Sequence, residues 1–391
     1  MNTDITNEKK RLNYKEKIRS HRLTRFYRVV LFVLIVVGVS AVFYYEWRGR
    51  VFTDGMVVHS ATNRIADGTR VMGLGGHVLG YSKDGVSLTD SGGTTLWNQT
   101  FEMQEPSVAI CRDVAALADY NGSTVYVLDT QQKLGEINTN LPIRAFDVAA
   151  SGNVLAVLED GLTTWVNLYT ADGTQISNIR TSMNNSGYPV SVAVSPSGAL
   201  VGISFFFVAE GISRSTVVFY NFGPVGQNAQ NNMRSAYNYS DTLVPYLTFM
   251  GDDAAFAVSD DRIMFFAGSE KPLSIAETFL NEKVRSIYSS EDHVGLVFYG
   301  QGQDALYRLD IYDKKGGMIL SKDFDFDYTE IVFSKNSFII YNELDLLICD
   351  INGTEKYRGP LDKVTILLMP GGQINRYTAV TSETIDTLEF R

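Results

Sequence analysis

Eight carboxylates recur along the chain at a period of forty-odd residues: Asp84, Asp119, Asp160, Glu210, Asp261, Asp304, Glu343 and Glu383. Each falls in a short polar stretch between two apolar runs, where a strand would turn back on itself. Asp favours such turns because its side chain bonds the local backbone. Glu does not, so turn chemistry covers only part of the series. Gathered on one face, the eight would form an acidic ring that steers a basic protein partner or cations. A second set lies in the polar stretch Gly223–Asp241, with Gln227, Asn228, Asn231 and Asn232 followed by Tyr237 and Tyr239. A long loop inside a regular pattern is often the functional one, and Tyr with Asn is a favoured mix in binding surfaces. A disordered insertion is the competing reading.

Catalytic and metal constellations find little material. His21, His59, His77 and His293 have no metal-ligand spacing. G-x-S-x-G does not occur, and Gly73-Leu74-Gly75-Gly76 lacks the following helix that a phosphate loop requires. Asp323, Asp325 and Asp327 would share one face of a strand by period two and suit a hard cation. They lack the glycine and the distal Glu of a calcium loop, and an exposed outer strand is often acidic to block edge pairing. The two cysteines, Cys111 and Cys349, sit in apolar strand-like runs and read as small buried hydrophobes rather than a disulfide scaffold. The expectation is a protein without catalytic residues, cofactor or metal.

Positioning an acid every forty residues needs a repeated element. From Arg70 onward the chain repeats a unit of four short strands. The second unit reads PSVAICRD, VAALADYNG, STVYVLDTQQ and KLGEINTN, and the third covers 143–182 in the same way. Alternation such as Val125-Tyr126-Val127-Leu128 is strand periodicity. Four strands in about forty residues is the signature of a propeller blade, which cannot bury both its faces alone and must stack in a ring. Seven full units fit between Arg70 and Leu361, and three further strands (363–369, 376–383 and 384–390) lack an outer partner. VFTDGMVV (51–58) is the segment expected to supply it. The fold class is therefore all-β, an eight-bladed β-propeller closed by an N-terminal latch strand and preceded by one transmembrane helix, with seven blades as the alternative.

Charge and hydropathy divide the chain. Residues 1–50 carry eleven Lys/Arg against four Asp/Glu, leaving 23 against 40 in the remainder, a net of −17. A surface that acidic argues against nucleic acid, because phosphate neutralisation needs clustered Lys and Arg. Residues 29–45 contain no charge, and Phe26 to Trp47 is long enough to span a bilayer as a helix. The basic flank would stay in the cytoplasm and the aromatic residues Phe43, Tyr44, Tyr45 and Trp47 would mark the far interface. The expected organisation is a basic cytoplasmic tail (1–25), which could bind anionic lipid, a transmembrane helix (26–47) and an extracytoplasmic propeller (51–391). A cleaved signal peptide ending near Val39-Ser40-Ala41 is the competing reading. The latch would then set the face carrying the first–second and third–fourth turns against the bilayer, leaving the acidic turns distal.

The hairpin Leu88-Thr89-Asp90-Ser91-Gly92-Gly93-Thr94-Thr95-Leu96-Trp97 resembles the D-x-x-G-x-x-x-W turn of quinoprotein-like and outer-membrane-assembly-lipoprotein-like propellers. Ser195-Pro196-Ser197-Gly198 resembles the S-P-D-G turn of WD40 and TolB-like propellers. Basic tail, single span and propeller together look like an uncharacterised family of firmicute surface proteins, with 219–228 similar to that family's characteristic stretch. The resemblance implies the fold and no activity. The function expected is that of a cell-membrane-anchored interaction or scaffolding module facing an envelope protein, peptide or glycan. A sensor or enzyme using the central funnel is the alternative, and a structural spacer a third.

Overall fold

The computed structural model describes residues 25–40 and 51–391 apart from 162, 182–186, 210, 227–229, 303–304 and 373–374. It divides into two units, Met1–Val51 and Phe52–Arg391. In the first, residues 25–40 form a helix. Among the described residues no helix is long and apolar enough to cross a membrane. The expected span of 26–47 is thus seen as helix only to residue 40, and 41–47 lie outside the described residues.

Alternation organises the second unit. In the strand Thr124–Asp129, Val125 and Val127 are fully buried on one side while Tyr126 packs on the other against a different neighbour. A strand buried on both faces needs a sheet on each side, and repeating that demand closes a ring. The described residues form eight four-stranded antiparallel sheets, each with its strands hydrogen-bonded in chain order from the innermost outward, save the last. These are blades 1 to 8, covering 70–100, 106–138, 143–181, 188–240, 246–279, 286–324, 330–360 and 367–390. Eight blades, not seven, are present.

Blade 8 is completed by Gly55–Thr62, which pairs antiparallel with Thr384–Phe390 from Gly55↔Phe390 to Thr62↔Thr384. The latch expected at 51–58 is therefore displaced. Residues Phe52–Asp54 instead run alongside the end of the chain: the Phe52 amide donates to the Lys356 carbonyl (2.6 Å), and Asp54 and Arg391 bond through their backbones. Pairing from Gly55 lays its hydrogen side chain on the Phe390 ring, where a Cβ would come within 2.6 Å of a ring carbon.

The core is distributed as eight apolar clusters, each built mainly from residues of two adjoining blades. The junction of blades 2 and 3 buries twelve residues, whereas the closing seam between blades 8 and 1 buries five: Val78, Leu367, Met369, Val380 and Ile385. With the least apolar area removed from water, that seam has the smallest hydrophobic contribution. Elsewhere the blades approach closely. A Cβ on Gly135, in the outer strand of blade 2, would lie 2.0 Å from the Ala171 carbonyl oxygen of blade 3. Gly135→Ala is expected to destabilise the unit by about 1–3 kcal/mol, as overpacking does, which a urea-unfolding midpoint would measure.

The topology creates two rims. First–second and third–fourth hairpins share one, the hairpin rim, and many of its acids are turn formers. Asp90 accepts from the amides of Gly92 and Thr94 while Gly93 takes a φ of +80°, and Asp313 and Asp350 do the same in their own hairpins. Second–third turns and the connections between blades share the opposite rim.

Candidate functional site on the acidic rim

Six of the carboxylates singled out in sequence are described, and all six fall in or beside second–third turns on this one rim. Glu210 and Asp304 lie outside the described residues. The six divide by occupation. Asp119 is half-buried, and its carboxylate accepts from the amides of Gln104 (2.9 Å) and Glu105 (2.6 Å), fastening blade 2 to the segment that enters it. Asp261 accepts from Arg262 Nη2 (2.7 Å), Ser259 Oγ (2.7 Å) and Thr242 Oγ1 (3.1 Å). Chiefly through Arg262, and against the effect of burial, its carboxyl is held down at about 2. Both acids hold the rim's shape. Asp84, Asp160, Glu343 and Glu383 are exposed. At Asp84, Glu343 and Glu383 the backbone carbonyls serve the connections, accepting from Phe101, Thr365 and Asn63 respectively.

Apolar side chains stand between the acids, a feature sequence reading missed. Val208 and Ile212 flank the turn of blade 4, Leu243 lies in the connection to blade 5, and Phe279 ends blade 5. Tyr299 and Leu306 border the turn of blade 6, Leu344 lies in that of blade 7, and Val364 in the connection to blade 8. Val208, Phe279, Tyr299, Leu306, Leu344 and Val364 are between 50% and 65% exposed. Among the described residues blades 1–3 add only Tyr120 to this set on the rim. Apolar and acidic groups therefore share an arc of this rim over blades 4 to 8, and exposed apolar groups gathered on one face mark a candidate interaction surface. No sequence signal marked it, because these residues read as ordinary strand ends.

The centre of the arc is braced. The Arg285 guanidinium lies 5.2, 4.9 and 5.8 Å from the ring centres of Tyr299, Tyr307 and Tyr328 and donates to Tyr299 Oη at 2.7 Å. Tyr307 donates to Asp327 at 2.6 Å, and Tyr328 shares a hydrogen bond with Ser286. Fixed tyrosines beside an arginine are the residue types that dominate binding energy at interfaces. Asp325 and Asp327, expected on one strand face with Asp323, instead follow the strand Met318–Phe324 and are engaged by Arg358 and Tyr307.

The polar stretch of blade 4 is corrected more heavily. Residues expected in a loop to Asp241 form the strand Met233–Ser240. Tyr237 clamps blade 5, donating to the Pro272 carbonyl and accepting from the Ser274 amide, each at 3.0 Å. Tyr239 is 7% exposed. Asn231 and Asn232 make a short turn with φ of 53° and 60°, and Asn232 donates to the Asn221 carbonyl. Gln227 and Asn228 lie outside the described residues.

In the wall of the bore, Asp147 on the innermost strand of blade 3 accepts from the Val148 and Val194 amides, each at 2.9 Å, and ties blades 3 and 4 together. Surrounding protein pushes its carboxyl up to about 6 despite those two donors. Cys111 and Cys349 are free thiols, and desolvation raises both.

The family described as "Family of unknown function (DUF5711)" matches residues 48–390. No curated protein matches in sequence. BamB from Moraxella catarrhalis has a similar structure, with a TM-score of 0.51 at 12% identity over 86% of this chain and 100% of that one. AztD from Citrobacter koseri is similar with a TM-score of 0.52 at 11% identity, over 76% of this chain and 87% of that one. At these identities the likeness concerns the propeller fold.

Proposed function

The chain belongs to the family of unknown function DUF5711, and we propose that it is a membrane-anchored, extracytoplasmic scaffold that binds a protein partner on the acidic rim and does no chemistry of its own. The single observation carrying this reading is the arc of exposed apolar side chains set among carboxylates over blades 4 to 8. Apolar area supplies affinity and the acids supply orientation and on-rate. The partner is a protein presenting a basic, amphipathic surface, since anionic lipid would be repelled by the same charges. The basic preamble and charge-free run of residues 9–45 support the anchor and its direction. Carboxylates engaged in holding backbone, as at Asp119 and Asp147, support binding over catalysis.

Photo-crosslinking residues placed at Leu306 and Leu344 in intact cells are expected to capture one common protein, and the same residue at Leu96, on an outer strand, is not. Replacing Glu343 and Glu383 by Lys should reduce that capture by at least about tenfold, because like-charge juxtaposition costs several kcal/mol. Asp119 and Asp261 stay untouched in this test because they hold the rim's backbone and side chains. Equal capture from all three positions, or none, defeats the reading.

A further inference from the structure

On the side of the ring, blades 2 and 3 border an open cleft of about 430 Å³, within the size range of small-ligand sites. Trp165, Asn167 and Tyr169 alternate along the strand Thr163–Tyr169, so by period two they share the face bordering it. The neighbouring strand adds Asn178 opposite Asn167, and Asn138 and Asn140 come from the end of blade 2. Asn167 is 6% exposed and forms part of the lining. Its Nδ2 donates to Tyr169 Oη at 2.9 Å, while its buried Oδ1 meets no donor among the described residues. Buried side-chain oxygens are seldom left unpaired, and those that are call for an explanation.

We propose that this cleft is a subsite for a neutral saccharide. Each amide offers both a donor and an acceptor, which is what a ring of hydroxyls requires. A hydroxyl seated at the floor would supply the donor that Asn167 Oδ1 lacks. Trp165 and Tyr169 give the apolar wall that the C–H face of a pyranose ring prefers over water. One charge of each sign lies nearby: Asp160 lines one end, and outside the lining Arg180, opposite Trp165 in register, holds its guanidinium 5.8 Å from the indole centre. That balance favours an uncharged ligand over a sugar acid or a phosphate. Neither the saccharide nor its site depends on the apolar arc of blades 4 to 8.

Saturation-transfer NMR on the full chain with cellotetraose, maltotetraose and triacetylchitotriose, each at about 10 mM to reach weak affinities, tests this directly. At least one should receive saturation from the protein. Asn167→Leu, which keeps the branching and the number of side-chain heavy atoms but removes the polar ones, should weaken that binding by about tenfold or more, since a polar site rejects a ligand it can no longer bond. The surface substitution Asn178→Ala, which leaves the core intact, should weaken it too. Thermal midpoints within about 2 °C of wild type establish that both variants are folded. No transfer to any of the three sugars overturns the proposal, as does transfer unchanged in both variants.

Discussion

A chain beginning at Asn63 is expected to lose the cooperative unfolding transition that a chain beginning at Phe52 shows. The first lacks the Gly55–Thr62 strand and the residues that join it to the end of the chain. Its removal strips the backbone ladder from Thr384–Phe390, and at about 1 kcal/mol net per hydrogen bond the loss is of order 5 kcal/mol. Phe52, which packs on the blade 7–8 cluster, goes as well. A domain's whole stability is roughly 5–15 kcal/mol. The deficit falls on the blade bordering the seam with the smallest buried cluster, so the ring has little apolar area there to hold it closed. Calorimetry of the two chains would decide it. A transition of equal midpoint and enthalpy in both would mean that the strand is an ornament.

The second large effect concerns the ion pair beneath that strand. Asp386 is 2% exposed, accepts from Ser60 of the latch, and meets Lys363 Nζ at 2.7 Å, whereas the Lys363 side chain is 47% exposed. The two partners are therefore not equivalent. Asp386→Asn keeps an acceptor for Ser60 and returns Lys363 to water, at a cost of about 1 kcal/mol. Lys363→Met leaves a covered carboxylate with only the hydroxyls of Ser60 and Thr384 and should cost about 3 kcal/mol, the lower end for a broken buried pair because the site lies close under the surface.

The pH dependence carries the sign. Burial opposes ionisation of Asp386, but the hydrogen bonds and charge of Lys363 and the bond from Ser60 outweigh it, so its carboxyl lies below the usual range. A depressed carboxyl contributes stability that is present above the unfolded value, about 4, and is lost as pH falls through the folded one. In Lys363→Met only the hydroxyls of Ser60 and Thr384 still oppose burial, and the carboxyl is expected to rise above its unfolded value. That variant should recover stability on acidification between the two values, where wild type does not. Urea midpoints across that range distinguish the two slopes, and parallel profiles would rule the pair out as a determinant.

How far the sequence could be read depended on whether a property is local. Strands and blade count were legible because alternation in segments such as Val125–Leu128 is fixed by immediate neighbours. The latch was legible as a need, three strands lacking a fourth, but not in register. The apolar run Met56-Val57-Val58 reads equally well as the end of a strand or its beginning, and pairing with Phe390 decides it. Acidic turns were found where expected, yet their occupation was hidden. Asp119 serves amides fourteen and fifteen residues earlier, while Glu343 projects into solvent from the same kind of turn. Tyr237 and Tyr239 were misread because a polar outer strand and a polar loop have the same composition. The apolar arc and the Asn167 cleft were out of reach altogether. Exposure of Leu344, or isolation of one amide oxygen, is settled by residues from elsewhere in the ring.

The pairing of Ser60 with Asp386 spans 326 positions. On a ribosome, the outermost strand of blade 8 emerges before the rest of the ring, while its partner strand Thr384–Phe390 is made after every other blade. Blades 1 to 7 can form as neighbours arrive, but the early strand must wait, unpaired and carrying Met56, Val57 and Val58 in the open. Closing so long a chain segment is slow, and strands left waiting are where chains aggregate or exchange with a neighbouring copy. The geometry that seals the finished ring thus places its greatest hazard at the start of synthesis, and crowded nascent chains of this protein are the setting in which swapped dimers should arise.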